Sequence, residues 1–219
     1  NDMGCEVTYS TDHEYNAIQR MIRIGLRIIF GFDLAHAFRN RHSFSKVDII
    51  WTHTESQYLS ILFLAMVANI KLPPMICQSV WLMDEFKSLS RFYRLLYLYL
   101  MKRADVLTFL SHLNAEVCKK ILPSADIKVV RFGINGDTFF DKPERCRDGS
   151  VNIFAVGNDR HRDWSAVVEQ FRDSGFNVRI VSGSAKMAEP LPRNIIIKPA
   201  LTQNELVEAY MSADVASVA

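Results

Sequence analysis

The chain has 219 residues, of which 49% are hydrophobic and 23% charged, the composition of an ordinary folded protein. Its nine glycines, seven prolines and 11% aromatic residues argue against a collagenous, low-complexity or disordered chain. The 26 basic and 24 acidic side chains give a formal charge of +2, too balanced for a protein dedicated to binding nucleic acid.

The four cysteines are far apart and form no C-x-x-C pair, so neither a zinc knuckle nor a dense disulfide framework is expected. Reduced thiols in a cytoplasmic protein are therefore predicted. The N-terminus shows no basic stretch followed by an apolar one, which predicts no signal peptide. The longest apolar runs, 58–68 and 95–101, are shorter than the roughly 20 residues of a membrane-spanning helix.

Short β-type runs alternate with longer helical ones along the first part of the chain. Strands are predicted at 5–10, 47–52, 74–78, 105–110 and 127–131. Helices are predicted at 14–40 with a break at Gly31, at 55–69, at 84–102, and from the N-cap Ser111 to about Leu122. This alternation is typical of a parallel sheet with helices packed on its faces.

A polar stretch at 141–150 interrupts the alternation and predicts a linker. Beyond it, strands are predicted at 151–157, 176–182, 194–198 and 214–219, and helices at 163–173 and 203–212. The fold class is therefore α/β, with two Rossmann-like doubly wound parallel-sheet domains at 1–140 and 151–219. We expect the first to lack its beginning and the second to be truncated, since the last predicted strand stops without a turn.

The segment after the first strand of the second domain carries the clearest chemistry. Gly157 is followed by Asn158, and Arg160 and Arg162 precede a predicted helix. Open parallel sheets bind ligands at the carboxyl ends of their strands, and helix N-termini with arginines suit phosphate oxygens. The segment therefore indicates a phosphate site. The alternative is that both arginines are solvated loop charges paired with neighbouring aspartates.

Polar side chains also follow strands of the first domain. His53 and Glu55 come just after 47–52, where they would line a ligand cleft. Alternatively, Glu55 begins the next helix, where its charge suits the helix dipole, and His53 is a loop residue. Asp84 follows 74–78 and is either a polar group of the same cleft or, as we favour, the N-cap of the next helix.

The segment 87–103 carries five basic residues, no acidic ones, and many aromatic residues and leucines. A basic amphipathic helix of this kind can lie on an anionic bilayer surface. Aromatic stripes at helical spacing are also common in protein cores, so packing against the core stays the alternative.

Several segments in succession resemble retaining glycosyltransferases of the GT-B fold, family 4. They are VDIIWTH (47–53), MKRADVLTFLS (101–111), IKVVRFGINGDTFF (127–140), VNIFAVGNDRHRDW (151–164) and NIIIKPALTQNELVEAYMSADVASV (194–218). The third is similar to the family's interdomain G-[I/V]-[D/N]-x-x-x-F segment. The last is similar to its run of a glutamate, a leucine, a tyrosine and Ala-Asp, here Glu205, Leu206, Tyr210, Ala213 and Asp214.

The resemblance implies a hexosyltransferase that moves a sugar from a nucleoside-diphosphate sugar to a glycan or lipid-linked acceptor, with retention of configuration. It implies polysaccharide or glycoconjugate biosynthesis, no cofactor and no essential metal. Cationic side chains and helix N-terminal N–H groups must then meet the charge of the leaving diphosphate. Gly157, Asn158, Arg160 and Arg162 are the candidates, assigned by chemistry because the family has Arg directly after the glycine and Lys-Gly a few residues later.

Two departures from the family pattern concern the site. No histidine follows the strand 74–78, so the family's acceptor-side histidine has no counterpart and the catalytic residue is unknown. The family's Glu-x7-Glu element, which holds the donor sugar and ribose, would follow 214–218. We therefore expect the 219-residue chain to be an internal fragment that is inactive alone.

The second hypothesis is a non-catalytic GT-B-like module that binds a nucleotide or a membrane surface. Under the leading hypothesis the partners are the nucleotide-sugar donor and the acceptor, with peripheral membrane contact through 87–103 and no nucleic acid. The expected location is the cytoplasm, at the inner face of the plasma membrane if 87–103 contacts lipid.

Overall fold

The structure, a computed structural model, describes residues 4–12, 14–133, 149–158, 162–185 and 190–217. The chain separates into two compact units, the first of which ends at Gly133. Each unit is built on a four-stranded parallel sheet flanked by helices, which confirms the predicted α/β class. The predicted domain limits at 1, 140 and 219 and most of the linker at 141–150 fall outside the described residues, and the predicted domain division stays a prediction.

The first unit alternates helices with the strands of one sheet. Its helices are α1 (Ala17–Phe30), α2 (Leu34–Asn40), α3 (Glu55–Ala68), α4 (Leu82–Glu85), α5 (Arg91–Met101) and α6 (His112–Ile121), with a 3-10 helix at Arg41–Lys46. Its strands are β1 (Ile50–Thr52), β2 (Met75–Ser79), β3 (Val106–Phe109) and β4 (Ile127–Val129), in that order across the sheet.

Among these strands the order does not reverse, and right-handed crossovers then place the connecting helices on one face. On the helix side Cys77 and Leu107 are at most 1% exposed, whereas on the other face the edge residue Trp51 is 57% exposed and the central residues Gln78 and Thr108 are at most 8% exposed. Within the described strands the order of the first sheet runs in one direction, and the doubly wound arrangement predicted for this unit stays a prediction.

The predicted break at Gly31 is confirmed and explained by its surroundings. Gly31 has φ = 77°, and its N–H donates to the carbonyl of Arg27 at 2.8 Å, which ends α1. A Cβ at this position would also overlap the hydroxyl of Tyr97. Both the left-handed conformation and the close contact favour glycine. The turn delivers Phe32, which is fully buried, into the core.

The second unit has a four-stranded sheet whose strand order does reverse. Its helices are α7 (Trp164–Gln170) and α8 (Gln203–Ser212), and its strands are β5 (Asn152–Val156), β6 (Asn177–Val181), β7 (Ile195–Lys198) and β8 (Val215–Ser217). The order across the sheet is β7-β6-β5-β8. Strands β5 to β7 advance in one direction and β8 returns to the other side of β5. This reversal is that of a doubly wound sheet, as predicted.

Both faces of the second sheet are covered. Ile153 and Ile180 pack with Trp164 of α7 on one face, and Phe154 packs with Ala209 of α8 on the other. Adjacent residues of β5 therefore belong to opposite core layers, as the period of a strand requires.

Two element predictions were wrong. Residues 5–10 form no strand, because they pair with no neighbouring strand and the alternating pattern alone does not make one. The predicted helix 84–102 is two helices, α4 and α5. Ser90 begins the second of them by accepting a hydrogen bond from the N–H of Tyr93 at 3.5 Å. Asp84 consequently lies inside α4 and is not the N-cap that we favoured.

Candidate functional site

The reversal of strand order between β5 and β8 marks the place where open α/β sheets bind ligands, at the carboxyl ends of the strands. Gly157 directly follows β5, and its N–H still donates to the carbonyl of Val181 on β6 at 3.1 Å. The side chain of Arg162 lies against its α-carbon, so that a Cβ at position 157 would overlap the guanidinium. The absence of a side chain at Gly157 thus lets a positive charge approach the end of β5.

Asn158 ties the loop after β5 to the loop after β6. Its Oδ1 accepts hydrogen bonds from the N–H of Gly183 at 2.6 Å and from the hydroxyl of Ser182 at 3.4 Å. The Ser182 oxygen in turn accepts from the N–H groups of Ser184 and Ala185, each at 3.2 Å. Since Ser182 is only 3% exposed, this network joins the first residues after β5 and β6 through a buried hydroxyl. Asn158 is a positioning residue in this arrangement.

Helix α7 begins directly after Arg162. Its N-cap is Asp163, whose Oδ1 accepts from the N–H of Ala166 at 3.0 Å. The next residue, Trp164, is 4% exposed and anchors the start of the helix in the core. The position of Arg162 is therefore set by a capped helix on one side and by Gly157 on the other.

Three of the four predicted diphosphate residues, Gly157, Asn158 and Arg162, come together at this edge of the sheet. Arg160 lies outside the described residues, as do its two neighbours. The sequence placed all four in one loop, but nothing in the sequence predicted the contact of Arg162 with Gly157. Their role in binding a diphosphate stays a prediction.

Three residues of the last family-like segment fix the second sheet. Glu205 completes the capping box of α8. The ring of Tyr210 packs edge-on against Phe154 of β5, with 4.9 Å between ring centroids. Asp214 accepts a hydrogen bond from the N–H of Asn152 at 2.8 Å, which holds the start of β8 beside β5. This segment therefore builds the strand reversal and supports the site without lining it.

The carboxylate of Glu55 holds the loop that follows β2. Its Oε2 accepts from the N–H of Val80 at 2.9 Å, and its Oε1 accepts from the N–H of Trp81 at 3.3 Å. Glu55 is also the first residue of α3, as the alternative interpretation proposed. His53 is exposed, and its ring stacks on that of Trp51 with 5.2 Å between centroids. Their role in a ligand cleft remains a prediction.

Asp84, the third candidate of this unit, accepts a hydrogen bond from Nδ2 of Asn114 at 3.4 Å. It therefore connects α4 to α6. The hydrogen bond is exposed to solvent, and the role of Asp84 in ligand binding stays a prediction.

A polar cavity of about 410 Å³ lies beside the start of α3. Its lining includes Arg23, Asp33, His36, Thr54, Ser56 and Gln57. The sequence singled out none of these, since Arg23 and Asp33 come from a helix and a turn that precede the sheet. The sequence positions of Arg23 and Asp33 do not indicate that the two side chains meet. Only the folded chain brings them together.

A second cavity of about 370 Å³ lies in the second unit, at the end of its sheet opposite to Gly157. The first residues of β5 and β6, Asn152 and Asn177, line it together with Arg193. These residues are at the amino ends of the strands, away from Gly157. This cavity is therefore no part of the predicted diphosphate site.

Helix α5, within the basic segment 87–103, has a buried and an exposed face. Tyr97 and Leu100 are at most 5% exposed, whereas Phe92, Leu95 and Tyr99 are 51–65% exposed. The core interpretation thus applies to one face of this helix only. In the part of the chain that the structure describes, no helix combines the length and apolar character needed to cross a membrane.

No family model matches the chain, and no curated protein is significantly similar to it.

Proposed function

We propose that the chain carries the donor-diphosphate site of a GT-B glycosyltransferase, which transfers a sugar from a nucleoside-diphosphate sugar to a glycan or lipid-linked acceptor with retention of configuration. The main support is the position of Arg162 against Gly157, at the carboxyl end of β5 and beside the strand reversal. A ligand at the end of β5 would contact the guanidinium of Arg162, which can lie there because Gly157 has no side chain.

The chemistry of sugar transfer requires such a charge. When the bond between the sugar and the diphosphate breaks, negative charge grows on the leaving phosphate oxygens. A guanidinium donates two parallel N–H bonds to such oxygens, and these strengthen as the charge develops. In this proposal Arg162 supplies them, together with Arg160 in the same loop.

The network around Asn158 adds preorganisation. Donors that are already fixed need not reorganise when charge develops, which is the main advantage of an enzyme site over water. Asn158 bonds to Gly183 and Ser182, so the backbone at the ends of β5 and β6 is held before a ligand arrives. This is consistent with a site built for a transition state.

An acceptor attached to a lipid would bring the protein to a membrane surface. The exposed face of α5 and the basic residues of 87–103 support a peripheral contact of that kind, at the cytoplasmic side of the plasma membrane.

A non-catalytic GT-B-like module that binds a nucleotide or a membrane surface is the second candidate. Its support is the acceptor side, where the carboxylates of Glu55 and Asp84 are engaged in structural hydrogen bonds. The missing counterpart of the family's histidine after 74–78 points the same way.

A thermal-shift panel of UDP-, GDP- and ADP-sugars, followed by a transfer assay with the donor that stabilises the protein, tests the proposal. A donor that raises the melting temperature of the wild type, but not that of Arg162→Ala, supports the diphosphate site. Sugar transfer with retained configuration then supports the enzyme, whereas binding without transfer supports the module. If no nucleotide sugar stabilises the protein, both candidates fail as nucleotide-binding proteins.

A further inference from the structure

Helix α1 turns its apolar side to solvent. None of its fourteen residues is buried. Six large apolar side chains are 52–73% exposed: Ile18, Met21, Ile22, Ile24, Ile28 and Ile29. A surface helix ordinarily turns its apolar stripe toward the core, and clusters of exposed aliphatic side chains mark interaction sites. The orientation of α1 is therefore the reverse of the usual one.

Ion pairs on the polar side fix this orientation. Nε of Arg23 donates to Oδ2 of Asp33 at 2.7 Å, and its Nη1 donates to Oδ1 of Asp12 at 3.1 Å. The guanidinium also lies over the ring of Tyr15, 4.6 Å from its centroid. The side chains of Arg23 and Asp33 are only 21% and 14% exposed. Rolling the helix to hide its isoleucines would break this partly buried pair, so the apolar face stays outward.

The exposed face of α5 lies beside the end of α1. The hydroxyl of Tyr93 donates to the carbonyl of Ile29 at 2.9 Å, which satisfies one of the last carbonyls of α1. On α5, Phe92 is 65% exposed and Leu95 is 59% exposed. Two neighbouring helices thus expose large apolar side chains.

The charged residues within these two helices have a single sign. Arg20 and Arg27 on α1 and Arg91 and Arg94 on α5 are exposed, and neither helix contains an acidic residue. A second copy of the chain, packed face to face, would bring like charges together. The phosphate groups of an anionic bilayer would pair with the arginines while the aliphatic side chains enter the acyl boundary. Charge complementarity therefore favours lipid over a second copy.

We propose that α1, together with the exposed face of α5, docks the protein on an anionic lipid bilayer, with α1 lying in the plane of the interface. Met21 and Ile28 would enter the apolar layer, and Arg20 and Arg27 would remain among the headgroups. This docking does not depend on the proposed sugar transfer and applies equally to a non-catalytic module.

Co-sedimentation with phosphatidylcholine vesicles, prepared with and without phosphatidylglycerol, tests the docking. The wild type should bind the anionic vesicles about tenfold more strongly than the neutral ones, and added salt should weaken that binding. The double variant Met21→Glu/Ile28→Glu should lose about tenfold in partitioning or more, because it places carboxylates in the apolar layer. Both positions are exposed, so its melting temperature should match that of the wild type.

Leu113→Glu is the matched control, since Leu113 is 69% exposed but lies on α6, and it should bind vesicles like the wild type. Three results would overturn the docking: a wild type that stays in solution with both vesicle types, a folded double variant that binds as well as the wild type, or a lipid-independent dimer that the double variant dissociates. The last result would assign the face to a second copy.

Discussion

The side chain of Arg162 occupies the space beside Gly157 in which the Cβ of any other residue would lie. Both residues are held in place: Gly157 by a hydrogen bond to Val181 and Arg162 by the helix that starts after it. A guanidinium is thereby placed at the carboxyl end of β5, next to the strand reversal.

Gly157→Ala should displace the guanidinium of Arg162 and weaken the binding of nucleoside diphosphates. The expected loss approaches that of one charge-assisted hydrogen bond, about 1.5–3 kcal/mol in a calorimetric titration. Gly175→Ala is the control, because no atom lies within 4 Å of a Cβ there, and it should bind like the wild type. Equal affinity in Gly157→Ala would show that the contact with Arg162 does not matter for binding.

Asn158→Ala should destabilise the second unit. The N–H of Gly183 would lose its acceptor and the hydroxyl of Ser182 would lose one of its two side-chain partners, which typically costs about 1–3 kcal/mol of unfolding free energy. Urea denaturation measures this loss. The exposed Asn177 provides a control, and Asn177→Ala should change the unfolding free energy by less than about 1 kcal/mol. An unchanged midpoint for Asn158→Ala would contradict the positioning role.

Glu55→Ala should loosen the loop after β2. Two backbone N–H groups, of Val80 and Trp81, donate to the carboxylate, and the expected loss is about 1–3 kcal/mol of unfolding free energy. Glu55→Gln keeps one acceptor oxygen and should lose less. Glu116→Ala, at an exposed position of α6, serves as the control in the same denaturation series. If the alanine and glutamine variants match the wild type, the carboxylate has no structural role and a ligand role gains weight.

Hydrogen bonds from the backbone N–H and then the hydroxyl of Thr202 lower the pKa of Glu205 below its usual value of 4.5. A carboxyl group with a lowered folded-state pKa stabilises the fold above its unfolded-state pKa, and this contribution disappears as the pH falls through the folded-state pKa. The difference in unfolding free energy between the wild type and Glu205→Gln should therefore shrink as the pH is lowered from neutral to below about 4.

An NMR titration of Glu205 measures the same effect directly. Thr202→Ala should raise the pKa of Glu205 toward its unfolded value, since the hydroxyl donor is lost. Thr202→Ser retains a hydroxyl and should leave the titration near that of the wild type. A Glu205 titration that is the same in Thr202→Ala and the wild type would rule out the capping contact.

The alternation of strands and helices was predictable because it depends on local hydrophobic periods. The break at Gly31 and the cap at Ser111 are local signals of the same kind, and the structure confirms both. The prediction of a strand at 5–10 was wrong because a strand needs a neighbouring strand to pair with. The local hydrophobic period does not show whether such a neighbour is present. The split near Ser90 shows that one short side chain can redirect a helix whose periodicity is otherwise continuous.

The sequence predicted which segment carries the candidate diphosphate site, but not how its side chains are arranged. A glycine, an asparagine and two arginines after a strand indicated phosphate chemistry, while the contact of Arg162 with Gly157 depends on where α7 begins. The apolar periodicity of 14–40 likewise predicted the helix α1. Its orientation was not predictable, because the pair of Arg23 with Asp33 forms only after the turn at Gly31 folds back.

Calorimetric titration of Arg162→Ala with the nucleoside diphosphate that the wild type binds tests the central claim most directly. The control is Arg172→Ala, which removes an arginine of the same unit that is paired with Glu169 at the surface. The account predicts that Arg162→Ala loses about 1.5–3 kcal/mol of binding free energy, while Arg172→Ala binds like the wild type. Equal affinity of Arg162→Ala and the wild type would contradict the assignment of the diphosphate to this loop.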